Sequence, residues 1–176
     1  IEVPAAGGLV HPRYGVFAPV RAEYVDLVAR APLPGLDLAV DVGTGTGVLA
    51  AVLARRGVRR VVATDVSPAA LACARENLDR LEVGERCEVV DADLFAPGVR
   101  DADVVVCNPP WLPGKPTSEL EGAVYDPGSA MLRGFLAGAA GVLRPGGEAW
   151  LLLSDLAERL GLRSRAHLET WFEEGG

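Results

Sequence analysis

Two stretches of this chain have residue types and spacing that could do chemistry: Asp41-Val42-Gly43-Thr44-Gly45-Thr46-Gly47 and Asn108-Pro109-Pro110-Trp111. The first lies between an apolar run from Leu38 and a helical apolar run from Val48, so it reads as strand, tight turn and helix. Its glycines let a ligand approach the backbone, and the helix start behind them offers unpaired N–H groups at a positive dipole end. A nucleotide-like ligand is the natural guest. The dinucleotide pattern G-x-G-x-x-G is not met, because Val48 stands three residues after Gly45 and the third glycine comes one step early at Gly47; this disfavours a nicotinamide dehydrogenase. The second stretch offers a side-chain amide, two prolines that stiffen the backbone and remove donors, and a flat indole face.

Positioning these stretches requires strands that end where they begin. After the glycine turn, Val48 to Arg56 reads as a helix closed by Gly57, and Arg59 to Thr64 as a strand ending in Asp65. An acid there, with Val66 beside it, suits a carboxylate accepting from ribose hydroxyls. Ser67 caps a helix that has Pro68 at its first position and runs to about Leu81. Cys87 to Val90 reads as a third strand leading into Asp91-Ala92-Asp93-Leu94-Phe95, and Asp103 to Cys107 as a fourth that ends at Asn108. The proline-punctuated loop from Leu112 to Gly128 has the length of a lid. Ser129 to Leu143 reads as a helix, Pro145-Gly146-Gly147 as a turn, Glu148 to Ser154 as a fifth strand, and a further helix begins near Asp155. Upstream, Val20, Tyr24, Leu27 and Val28 fall on one face of a helix starting at Pro19, and residues 1–13 read as an N-terminal linker or tail ahead of a domain over 14–176. The alternation predicts an α/β fold with a doubly wound, mostly parallel sheet. Ligands bind such sheets where the winding reverses, between strands one and four, which sets Gly43 to Gly47 opposite Asn108 to Trp111 across one cleft.

With those residues in view, Asp41 to Gly47 resembles motif I of the class I S-adenosylmethionine (SAM) dependent methyltransferases, and N-P-P-W resembles the [D/N/S]-P-P-[Y/F/W] motif of the amino-methyltransferases among them. Together with TDVSPAALACAREN, DADLF and LRPGG, the stretch from Tyr14 to Asp155 resembles the release-factor glutamine N5-methyltransferases and the small-domain rRNA guanine-N2 methyltransferases. It departs at Trp111, where the glutamine enzymes usually carry Tyr. The resemblance implies a Rossmann-like fold, SAM as cofactor, and cofactor contacts at Phe17, Asp41, Gly43, Thr44, Gly45, Gly47, Asp65, Val66, Asp93, Leu94 and Asn108. In it Asp93 accepts from the adenine amino group and Leu94 offers its backbone N–H. It implies that Asn108, Pro109, Pro110 and Trp111 are catalytic and that Tyr14, Asn108 and Trp111 meet the substrate.

The chemistry gives that motif a reason. An amide or aromatic amine nitrogen has a delocalised lone pair and attacks poorly until it is held in line with a methyl–sulfonium bond. The Asn108 side-chain oxygen and the Pro109 carbonyl can each accept one of its N–H groups, while Trp111 stacks on the planar group. The leading expectation is therefore an N-methyltransferase acting on an amide or exocyclic amine nitrogen, with a protein glutamine slightly preferred. The alternatives are an RNA or other nucleic-acid base amine (guanine N2 or adenine N6) and, from another class, a non-catalytic SAM-binding module, against which Asn108 argues.

Composition sets the outer bounds. The 176 residues are 49% apolar, enough for one domain with a substantial core. Seventeen basic against 24 acidic residues give a formal net charge of −7, which argues against an extended phosphate-binding surface and toward a protein acceptor, although Arg13, Arg21, Lys115 and Arg133 could form a local basic rim. Cys73, Cys87 and Cys107 read as reduced, buried thiols of a cytoplasmic protein, and His11 and His167 lack the spacing of metal ligands, so no metal is expected. No apolar run reaches the roughly 18 residues of a membrane span. A methyltransferase sheet normally finishes with an antiparallel hairpin, which this stretch lacks room for. That leaves Ala149 to Leu153 as an apolar edge, and a continuation on the order of 50 residues is expected.

Overall fold

The computed structural model describes residues 1–20, 23–114 and 125–175. Its centre is a five-stranded parallel sheet in the order β5-β4-β3-β6-β7, built from β3 (Leu38–Val42), β4 (Arg60–Asp65), β5 (Cys87–Asp91), β6 (Ala102–Cys107) and β7 (Leu143–Leu151). The chain steps outward from β3 through β4 to β5 and then returns to lay β6 against the other side of β3. That reversal opens a crevice at the carboxyl ends of β3 and β6.

Side-chain alternation along each strand sends residues to two cores. Ala39, Val61, Ala63, Val104 and Val106 pack against α1 (Glu23–Arg30), α2 (Val48–Arg55) and α3 (Pro68–Arg80). Val40, Val42, Val62, Val105 and Cys107 pack on the opposite face with Phe135 and Ala139 of α4 (Ala130–Ala139). The doubly wound sheet is as expected. A short α5 (Leu156–Arg159) and α6 (Arg165–Gly175) follow β7, and α6 packs on α4. No helix among the described residues is long and apolar enough to cross a membrane.

Several expected elements shift. Residues 1–13 do not trail off: Glu2–Val3 and Gly8–Leu9 pair as antiparallel β1 and β2, and Val3, Ala6 and Val10 are buried in the core beside α2. Two-residue strands are too short to leave a periodic signal, so the isolated apolar anchors passed for a linker. In α1 the buried face is Tyr24, Val25 and Val28, whereas Val20 and Leu27 are exposed. The expected helix from Ser129 to Leu143 is confined to α4. At its start the Asp126 carboxylate accepts from the N–H groups of Met131 (3.0 Å) and Leu132 (3.1 Å), and Leu143 already belongs to β7.

That last strand begins five residues earlier than Glu148. Its pairing jumps from Ala102–Leu143 to Val104–Glu148, so Pro145-Gly146-Gly147 forms an irregularity inside the strand where a separate turn was expected. A Cβ on Gly147 would lie 2.6 Å from the Ala102 carbonyl oxygen, which explains the glycine. Among the described residues β7 pairs only with β6, and Ala149 is exposed on it while Trp150 and Leu151 are half-buried. The loop after Trp111 is pinched at its neck by an isolated bridge between Leu112 and Tyr125 and by the Asp126 N–H donating to the Leu112 carbonyl at 2.7 Å; residues 115–124, which carry most of the expected lid, lie outside the described residues.

If the N-terminal hairpin is part of the core, Val10→Ala removes buried methyl groups and leaves a void against α2. It should cost about 2 kcal/mol of unfolding free energy, measured by urea denaturation. A loss indistinguishable from zero would mark the hairpin as a loosely attached tail.

Candidate active site

The glycine turn is held by two carboxylates. Asp41, buried at the end of β3, uses one oxygen to accept both the Thr44 hydroxyl (2.6 Å) and the Ala50 N–H in the first turn of α2 (3.0 Å). Asp65, at the end of β4, accepts from the Gly45 N–H (3.0 Å) with one oxygen and from the Ser67 N–H (2.9 Å) with the other. Thr44 also donates its N–H to the Thr64 carbonyl at 2.8 Å. Turn, helix start and neighbouring strand are thereby one unit.

Within it the glycines differ in purpose. Gly45 has φ +55°, and a Cβ there would meet nothing closer than Val16 Cγ1 at 4.0 Å: its missing side chain leaves open space for a ligand. Gly47, expected as a cofactor contact, has φ +80° and faces α3, where a Cβ would lie 3.2 Å from Ala74 Cα. Its role is to let two helices meet, and it does not line the cavity.

The turn forms one wall of a cavity of about 1000 Å³ at the carboxyl ends of the strands. Phe17, Asp41, Gly43, Thr44, Gly45, Asp65, Val66, Asp93, Leu94, Asn108, Pro109, Pro110 and Trp111 all line it, so both chemical stretches face one space. Tyr14 does not: it is 93% exposed and absent from the lining, because the segment it begins meets the cavity through Gly15, Val16 and Phe17. At the far wall the Trp111 Nε1–H donates to Asn108 Oδ1 at 3.1 Å. An indole is donor-only, so this bond keeps the amide oxygen turned toward Trp111 with a second lone pair free.

Met131, Tyr24, Asp155 and Arg159 also line the cavity and had no local sequence signal. Met131 lies so close over the turn that a Cβ on Gly43 would be 2.5 Å from its Cε. The buried Asn77 was likewise missed: its amide donates to the carbonyls of Thr46 (2.9 Å) and His11 (3.1 Å) and accepts the His11 N–H (2.9 Å), fastening the segment ahead of Phe17 to the glycine turn. Of the residues expected to form a basic rim, the two that are described are engaged with other side chains. Arg13 pairs with Glu76, Arg133 lies over the Trp171 ring 5.5 Å from its centroid, and Arg21 and Lys115 lie outside the described residues.

Burial pushes the Asp41 carboxyl up to about 6, with nearby Asp65 adding to the rise and the bonds from Thr44 and Ala50 opposing it. Burial raises the Cys107 thiol well above its usual range, so this thiol beside Asn108 stays protonated and is no nucleophile. The Asp41 shift carries a definite sign. The folded chain holds a proton that the unfolded chain has released between about pH 4 and about pH 6, so this group's contribution to stability is full below pH 4 and lost as pH rises through 6. Asp41→Asn keeps an acceptor for Thr44 and Ala50 but cannot ionise. The difference in Tm between this variant and the wild-type chain, both without ligand, should grow in the variant's favour from pH 4 to pH 7; a flat difference would contradict the shift.

The chain matches the model of the methyltransferase small domain over residues 13–174. It is 38% identical over 143 residues to a release factor glutamine methyltransferase of Moorella thermoacetica, covering 69% of this chain and 49% of that protein. It is 32% identical over 127 residues to a tRNA1(Val) (adenine(37)-N6)-methyltransferase of Shewanella amazonensis, covering 70% of this chain and 54% of that one. It therefore spans about half the length of these curated relatives. The structure of a ribosomal protein L11 methylase from Lactobacillus delbrueckii subsp. bulgaricus superposes with a TM-score of 0.68 at 20% identity, over 94% of this chain and 74% of that one, and shows the same fold. With motif and cavity agreeing with these matches, this chain belongs to the methyltransferase small-domain family of SAM-dependent methyltransferases.

Proposed function

We propose that this chain transfers the methyl group of SAM to a planar nitrogen, with the side-chain amide of a protein glutamine as acceptor. The observation that carries this reading is the single cavity with the glycine turn on one wall and Asn108-Pro109-Pro110-Trp111 on the other. The residues fit the cofactor. Space opens at Gly45 for its amino-acid portion, and Asp65 has lone pairs left for ribose hydroxyls beyond those given to Gly45 and Ser67. Asp93 and Leu94 line the same cavity, which supports reading them as the adenine contacts, and Asp41 gives a negative charge that a cationic ligand favours.

Bound there, SAM supplies an electrophilic methyl group on a sulfonium. The chain's part is alignment. The free lone pair of Asn108 Oδ1 and the Pro109 carbonyl each accept one N–H of the acceptor, which turns the nitrogen lone pair toward the methyl group. So aligned, the nitrogen would take the methyl group that SAM would supply, the carbon–sulfur electron pair staying with the departing S-adenosylhomocysteine. The nitrogen loses its extra proton to solvent afterwards, so no strong base is required. Because this alignment matters in the transition state, Asn108→Ala should bind SAM within about threefold of the wild-type chain while its turnover falls at least about 100-fold. Calorimetry and transfer of labelled methyl check the two halves. Unchanged turnover would favour another alignment group, and no transfer by either protein to any lysate fraction would favour the non-catalytic binding module.

For the acceptor, charge supports the amide. Arg159 is the one cationic side chain among the described lining residues, and it is paired with Asp155 at 2.7 Å, whereas Asp41, Asp65 and Asp93 are acidic. A base amine is the second reading, favoured by the Trp111 face and by the similarity to a tRNA adenine methyltransferase. Salt separates them. Methylation of a glutamine peptide should change by less than about threefold between 50 and 200 mM salt, while an RNA acceptor held by several phosphates would lose affinity on the order of 10³-fold. Label appearing in RNA alone, with that steep salt slope, would overturn the glutamine assignment and leave amino-methyl transfer intact.

A further inference from the structure

Leu94, at the cavity wall, adopts φ +64°, a left-handed conformation that a leucine takes only at a cost. Its N–H has no hydrogen-bond partner among the described residues, although the neighbouring Phe95 N–H is satisfied by the Asp93 carbonyl at 3.0 Å. Two contacts hold it in that shape. The Thr64 hydroxyl, on a fully buried side chain of β4, donates to the Leu94 carbonyl at 2.5 Å. On the other side the Leu94 side chain lies over α4 at Gly134, where a Cβ would come 2.5 Å from its Cδ1.

We propose that Thr64 is a positioning residue for cofactor recognition: its hydroxyl holds the Leu94 peptide in the left-handed geometry that aims the Leu94 N–H at a ring-nitrogen acceptor of the adenine. Thr64 is suited to this by having two ends. Its carbonyl accepts the Thr44 N–H in the glycine turn, and its hydroxyl reaches the loop after β5, so a single strand residue sets the distance between the two halves of the cofactor site. Valine would serve as well in a buried strand, and better by hydrophobicity; the hydroxyl is the part that packing does not require. This inference rests on the reading that adenine lies against Asp93 and Leu94.

The test is a cycle of protein and ligand changes read by calorimetry, with S-adenosylhomocysteine and its 1-deaza analogue, in which the ring acceptor is a C–H. Thr64→Val should weaken S-adenosylhomocysteine binding roughly tenfold, as expected for the loss of one well-placed hydrogen bond, and Thr64→Ser, which keeps the hydroxyl, should stay within about threefold of the wild-type chain. The 1-deaza analogue should bind the wild-type chain about tenfold more weakly and lose little more with Thr64→Val. If Thr64→Val does not fold, Gly134→Ala serves instead. It displaces the Leu94 side chain from outside the cavity and should weaken the natural ligand more than the analogue. Equal losses on both ligands, or a Thr64→Val protein with unaltered affinity, would overturn the positioning role. If the wild-type chain binds the two ligands equally, the adenine reading itself fails, and this inference with it.

Discussion

The site depends on one buried carboxylate oxygen. Asp41 sits at the end of the central strand, where water cannot reach it, and that oxygen collects the Thr44 hydroxyl and the Ala50 N–H. Three things follow from this pair of bonds. The first residues of the turn are fixed relative to the strand, α2 is anchored through a donor that its own first turn leaves orphaned, and the backbone between them is presented to the cavity. The arrangement has a cost, since burial without a cationic partner lifts the carboxyl toward neutral pH.

Around that unit the fold adds ties between segments far apart in sequence. Asp65 reaches back to Gly45, Thr64 spans from Thr44 to Leu94, and Asn77 binds both Thr46 and His11. Each is a residue of β4 or α3 that satisfies the backbone of a loop. Loops at the carboxyl end of a parallel sheet have few hydrogen bonds of their own, and these borrowed partners keep the cavity's walls in place. At the opposite wall, the Trp111 indole orients the Asn108 amide, giving this aromatic a polar function in addition to its flat face.

Parallel strands, Gly-rich turns and capped helices write themselves locally, which is why the order of β3 to β6, the cap at Ser67 and the facing of the two chemical stretches were legible beforehand. Short or irregular elements do not. The hairpin of two-residue strands at Glu2–Val3 and Gly8–Leu9, and the strand that runs through Pro145-Gly146-Gly147, are stabilised by contacts with α2 and Ala102 that no local window contains.

Residue types and spacing alone determined the α/β winding and singled out Asp41, Gly45, Asp65 and Asn108, which line one cavity, because strand ends and glycine turns follow backbone rules repeated along the chain. Only the tertiary structure decided that Gly47 serves helix packing, that Tyr14 stands in solvent, that Arg13 and Arg133 are occupied elsewhere, that Met131 and Arg159 line the cavity, and that Thr64 is bonded to Leu94. The reason is geometric: whether a side chain meets a cavity depends on which distant element lies across from it, and that is set when the layers pack.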